Sequence, residues 1–153
     1  MILLLTSILI FNILAYFNHD KLTLNQLVHI WCFTVAFQFA FDAIIIEKYE
    51  GYWYFTKDIE WKSIPAYLCL IPPVNIMFLN WFPFNTSWLH QLRYYAMWVV
   101  LLVFYEGLTL VPEPFGFFTY GWWSAWTTII VNPILLFILV AYYKFIVKVE
   151  AKL

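Results

Sequence analysis

The sequence predicts an all-α integral membrane protein, a bundle of about five transmembrane helices carrying an aromatic extramembrane hairpin. Three observations lead there. Of 153 residues, 65% are hydrophobic and only 11% charged, whereas soluble domains carry about 25% charged residues. The apolar residues fall in runs of the length that crosses a bilayer as a helix, about 17–25 residues. The charges collect between those runs, most densely in Glu47–Lys62 (EKYEGYWYFTKDIEWK), with three of the eight basic residues, four of the nine acidic ones and six aromatics. Nothing is left over for a second domain, so residues 1–153 read as a single transmembrane domain.

The first run, about 1–17, is apolar apart from Thr6, Ser7 and Asn12. It lacks the charged start and A-x-A-like exit of a signal peptide and reads as a retained span. A short polar turn, Asn18–Lys21, precedes Thr23 and Gln26, whose spacing is that of a capping box. The second span follows, about 24–46. The third, about 63–81, holds Pro65, tolerable in a first turn, and Pro72-Pro73 at mid-span. Those two missing amides strip the carbonyls of Leu68 and Cys69 of helical partners, so the break must face protein or water. The fourth span is about 90–110. After the Pro-, Gly- and Phe-rich link 111–121, the fifth runs over about 122–143 and ends in Lys144, Lys148 and Lys152.

Five spans place the termini on opposite sides. Lys21, Arg93, Lys144, Lys148 and Lys152 fall on one side, and Lys48, Lys57 and Lys62 on the other. By the positive-inside rule the first side is cytoplasmic, giving a multi-pass cell-membrane protein with its N-terminus out and C-terminus in the cytoplasm. Seven of the nine acids, Asp42, Glu47, Glu50, Asp58, Glu60, Glu106 and Glu113, fall at or near the outer side.

Polar residues inside the spans mark the candidate site. Thr34, Gln38 and Asp42 recur every four residues and share one helix face, as do Ser124, Thr128 and Asn132. At about 1.5 Å per residue, each stripe covers about 12 Å of the same depth. Glu106 ends near the level of Asp42, and Asn75 lies just past the proline pair. This describes a polar cleft open to the outer side, of Thr34, Gln38, Asp42, Asn75, Glu106, Ser124, Thr128 and Asn132. Plainer readings stand beside it. Acids within a turn of a helix end reach interfacial water, Ser and Thr stripes join helices, and Asn132-Pro133 makes a self-repaired kink. Tyr52, Trp53, Tyr54, Trp61, Trp122 and Trp123 form an aromatic surface, read first as an interfacial belt and second as a cage for an organic cation or lipid headgroup.

The histidines His19, His29 and His90 lack any further haem signature. Cys32 and Cys69 lack metal-binding spacing, so no metal and no cofactor is expected. Asn85-Thr86-Ser87 fits a glycosylation acceptor but falls on the side assigned to the cytoplasm. No basic block points to nucleic acid.

The order of landmarks resembles a family of small, uncharacterised multi-pass membrane proteins of spore-forming Gram-positive bacteria. The pieces are Glu47 with the following GYWYF, Pro73-Val74-Asn75, Trp81-Phe82-Pro83, Tyr105-Glu106, Phe118-Thr119-Tyr120 with Trp122-Trp123, and Asn132-Pro133. The likeness spans about Lys21 to the C-terminus. It implies a bacterial cell membrane and about five helices, and carries no activity.

The leading functional expectation is a non-enzymatic membrane module whose outward cleft and aromatic hairpin bind a partner protein or a lipid-like ligand. Its partners are the bilayer and either another membrane protein or a second copy of the chain. The first alternative is ion, proton or small-solute permeation as part of an oligomer, which needs a polar path continuing inward, with Asn80 the one candidate on the third span. The second is a membrane enzyme acting on a lipid or isoprenoid, with Asp42 and Glu106 as acid and base.

Overall fold

The computed structural model describes residues 1–57 and 61–152, and the chain is mostly helical there. Its five α-helices are α1 (Ile2–Phe17), α2 (Leu24–Asp42), α3 (Ile71–Trp81), α4 (Trp88–Thr109) and α5 (Ala125–Glu150). Two of the helical paths contain a wider π turn. Ala43–Lys48 extends α2, and Ala66–Leu70 leads into α3.

The fold is arranged around α3. Ile76, Met77, Phe78, Leu79 and Asn80 are buried in succession, which only a helix covered on every side can achieve. Helices α1, α2 and α5 pack against it. Helix α4 closes the remaining side with Tyr94 and Trp98, whose rings lie 5.4 and 5.6 Å from that of Phe78. Tyr94 also donates its hydroxyl proton to the Phe78 carbonyl at 2.8 Å. Asn80, 2% exposed, fixes the link between α1 and α2. Its amide donates to Asp20 and its carbonyl accepts from the Lys21 backbone N–H.

The proline pair is accommodated by a change of winding and by a neighbour. Pro72 and Pro73 occupy the opening turn of α3, where a missing amide is tolerated, directly after the π turn. The carbonyl of Cys69, four residues before Pro73, accepts a hydrogen bond of 2.7 Å from the Asn12 amide of α1. Asn12 thus supplies a donor where Pro73 has none.

The ends of the elements follow local chemistry. Thr23 and Gln26 form the reciprocal capping box at the start of α2. Glu150, at the end of α5, accepts from the side chains of Thr23, Asn25 and Gln26. That tie accompanies a fifth helix running seven residues past the expected limit at 143.

Among the described residues of the aromatic segment, β1 (Tyr52–Tyr54) pairs antiparallel with β2 (Phe118–Tyr120), in the link between α4 and α5. In β2 two aromatic residues flank Thr119, the period-two pattern of a strand with one covered face, whereas β1 is aromatic throughout. Asp58, Ile59 and Glu60, also assigned to the hairpin, lie outside the described residues.

Two glycines permit the close approach of these links. A Cβ on Gly121 would lie 2.1 Å from the Glu50 carbonyl oxygen, and one on Gly116 would lie 1.7 Å from that of Val111. Gly107, by contrast, stands inside α4 facing open space.

Three helical stretches, Leu24–Lys48, Trp61–Trp81 and Ala125–Glu150, are long and apolar enough to cross a membrane. Helix α1 is apolar but shorter.

The Asn12 bond yields a direct prediction. Asn12→Leu keeps the bulk but leaves the Cys69 carbonyl without that donor, and should lower stability by about 1–3 kcal/mol. Thermal unfolding in detergent measures it, and an unchanged midpoint would show that the carbonyl does not depend on α1.

Candidate functional site: a cavity under the strand pair

Antiparallel pairing places Tyr52 opposite Tyr120 and Tyr54 opposite Phe118, while Trp53 faces Thr119. Opposed residues share a face of the ribbon, and the next pair along occupies the other. Tyr52, Tyr54, Phe118 and Tyr120 therefore form the inner face, and Trp53 and Thr119 the outer. Beyond the paired residues, hydrogen bonds from Phe55 N to Phe117 O (2.9 Å) and Gly121 N to Gly51 O (2.8 Å) extend the ladder at both ends.

The inner face grips two helices. The Tyr52 hydroxyl donates to Asp42 Oδ1 on α2, and the Tyr120 hydroxyl donates to Glu106 Oε1 on α4. Each carboxylate oxygen has a further donor. Gln38 Nε2 reaches Asp42 Oδ1 at 2.9 Å, and Thr128 Oγ1 on α5 reaches Glu106 Oε1 at 2.7 Å. Trp123 Nε1 in turn donates to Thr128 Oγ1 at 2.8 Å. Two polar chains result, Gln38–Asp42–Tyr52 and Trp123–Thr128–Glu106–Tyr120, joined by the ribbon.

Beneath the ribbon lies a cavity of about 230 Å³. Phe33, Phe37 and Phe41 of α2 form one wall, with Leu102 of α4 and Val131, Leu135 and Leu139 of α5 among the others. Tyr52, Tyr54, Phe117, Phe118 and Trp123 also line it.

Six of the eight expected polar residues, Thr34, Gln38, Asn75, Glu106, Thr128 and Asn132, line this one cavity. Asn75 Nδ2 donates to Thr34 Oγ1 at 3.0 Å, linking α3 to α2. Asp42 stands outside the lining, 4% exposed, bonded to Gln38 and Tyr52, which do line it. Its Oδ2 has no hydrogen-bond partner among the described residues. Ser124 is not part of the lining. It precedes α5 and lies 3.3 Å from the Thr127 hydroxyl.

The aromatic surface is corrected in part. Trp61 and Trp122 are exposed, at 87% and 56%, and Trp53 is half-buried on the outer face. Tyr52 and Trp123 are buried, at 5% and 7%, since their polar atoms are bonded to Asp42 and Thr128. Tyr54 is half-buried with its ring against the cavity.

Sequence reasoning missed Tyr105, Thr109 and Phe117, which line the cavity, and the role of Tyr120 as a latch. The alternation Phe118-Thr119-Tyr120 is a signal for a strand with one covered face, whereas Tyr52-Trp53-Tyr54 is aromatic throughout and carries none. The chain matches no family model, no curated protein and no solved structure.

The strand tyrosines carry a pH signature. Burial, with negative charge from Asp42 and its neighbours, holds the Tyr52 hydroxyl well above the ordinary tyrosine value of 10.0. Burial and the Glu106 carboxylate push Tyr120 in the same direction. A group raised on folding contributes stability that is fully present below its unfolded value, about 10, and lost as pH rises through the folded one. Stability should therefore begin to fall above about pH 10, by up to about 1.4 kcal/mol per pH unit for each such proton. Tyr52→Phe should make that fall shallower while lowering stability at pH 8 by about 1.5–3 kcal/mol, the value of a hydrogen bond to a charged group. Chemical denaturation between pH 8 and 11 distinguishes this from a purely structural ring, for which the slopes would coincide.

Proposed function

We propose that this chain is a multi-pass membrane protein of five spanning helices that binds a small amphiphilic ligand in the cavity under the strand pair, and that it is not an enzyme. The observation carrying this reading is the convergence of Thr34, Gln38, Asn75, Glu106, Thr128 and Asn132, from four helices, on one otherwise apolar cavity. A few placed polar groups in an apolar, aromatic wall are the usual form of a small-molecule site. At about 230 Å³ it falls below the ~300–1,000 Å³ of pockets for drug-sized ligands. It suits one polar head and a short apolar segment rather than a two-chain lipid.

Membrane placement draws support from the outward faces. Leu9, Val100, Phe104, Ile130 and Phe137, on α1, α4 and α5, are each more than 60% exposed. Such surface is costly in water and neutral in hydrocarbon. Among soluble proteins a patch of this extent marks an interface. The basic residues favour a C-terminus in the cytoplasm, with the strand pair outside, and the exposed Trp61 and Trp122 suit a headgroup belt. The bacterial cell membrane is the location the family resemblance implies.

Permeation draws less support, because Asn80, the residue needed to carry a polar path inward, is bonded to Asp20 and Lys21. The acid–base reading is weakened in the same way, since Asp42 and Glu106 each bond a different tyrosine.

Two measurements test the proposal. With Cys32 and Cys69 replaced by Ala, a cysteine at Thr56 should react with an impermeant thiol reagent on whole cells and one at Lys152 should not. The reverse pattern would overturn the orientation. For the cavity, decanol should raise the unfolding temperature of the protein in lipid nanodiscs, and Asn132→Phe, which fills the cavity, should abolish that shift. An equal shift in the variant would place decanol elsewhere.

A further inference from the structure

The cavity is set apart by the charge it presents. Its neutral polar groups, among them the amides of Gln38, Asn75 and Asn132 and the Tyr105 hydroxyl, offer donors as well as acceptors. Glu106 Oε1 takes both of that residue's side-chain bonds, from Tyr120 and Thr128, which leaves Oε2 for a ligand. Among the described residues no lysine, arginine or histidine lines the cavity.

We propose that the site takes an amphiphile with a cationic or neutral head, an amine or an alcohol, and that it rejects anionic heads. The inference rests on the proposal that the cavity is a binding site and adds its chemical class. Glu106 Oε2, free of the bonds that Oε1 accepts, is the acceptor for such a head. An ammonium gains further from the Glu106 carboxylate, from Asp42 behind Gln38, and from the faces of the surrounding aromatic rings. A carboxylate or phosphate head would meet a like charge at Glu106 without a compensating cation among the described lining residues, and an unpaired charge in such a site is strongly disfavoured. The preference falls in the order amine, alcohol, acid.

The experiment uses the full chain in phosphatidylcholine nanodiscs at pH 7.5, with decylamine, decanol and decanoate as probes of equal chain length. Affinities are read from the shift in unfolding temperature and corrected for each probe's partition into protein-free discs. Decylamine and decanol should each bind at least about tenfold more tightly than decanoate, the factor that corresponds to one charge-assisted hydrogen bond. Glu106→Gln should reduce decylamine affinity about tenfold and decanol affinity much less. Decanoate binding as tightly as either other probe would overturn the selectivity while leaving the cavity as a binding site. Failure of all three probes to bind would overturn the binding proposal itself. If Glu106→Gln does not fold, Asn132→Lys serves in its place. A lysine among the lining residues should raise decanoate affinity and lower that of decylamine, and an unchanged order would contradict the inference.

Discussion

Two carboxyl groups, each held by a strand tyrosine, set the arrangement of this end of the molecule. Asp42 on α2 and Glu106 on α4 lie on helices far apart in sequence, and Tyr52 and Tyr120, which bond them, are directly opposed in one antiparallel pair. The ribbon is only three residues long in each strand, too short to be stable by its own ladder. Its inner face must be held from below, and the acids hold it. In return each tyrosine adds a second donor to a carboxylate oxygen that Gln38 or Thr128 also reaches. The ribbon bridges α2 and α4 across the cavity that both helices line.

A second constraint acts deeper in the bundle. Helix α3 is buried on all sides, yet begins with two prolines. The π turn before them and the Asn12 amide opposite Cys69 allow a break in the amide ladder to be buried against α1. The same break positions Asn75, one helical turn on, against Thr34 at the cavity wall. What reads locally as a defect in a helix is thus a device that carries a polar side chain into an apolar interior.

Much of this was legible in the sequence. The capping box at Thr23 and Gln26 is present as its spacing requires. Four-residue periodicity placed Thr34 with Gln38 and Thr128 with Asn132 on single faces, and those four residues line one cavity. Helical periodicity is local, so it survives without knowledge of neighbours. The strand pair is not legible in the sequence because its partners lie 64 to 68 residues apart by register, and the aromatic residues of β1 read equally well as a membrane belt. Composition alone cannot distinguish an aromatic ring turned toward lipid from one turned over a cavity. Tyr52 and Trp123 went inward because each had a specific acceptor, Asp42 and Thr128, and acceptors on other elements are invisible to pattern. Asn12 was noticed only as a polar interruption, since its role depends on which carbonyl lies opposite.

The central claim is that one ribbon unites the two acids, and a double-mutant cycle on Asp42→Ala and Glu106→Ala tests it most directly. No hydrogen bond joins the two side chains, and direct repulsion between them would make the double loss exceed the sum of the single ones. Losing either latch frees the ribbon and leaves the other with less to hold. The double variant, measured by chemical denaturation at pH 7, should therefore lose less than the sum of the two single losses, with an interaction of roughly 0.5–3 kcal/mol. Strict additivity, within about 0.3 kcal/mol, would mean that each acid serves its own helix alone and that the ribbon does not join them.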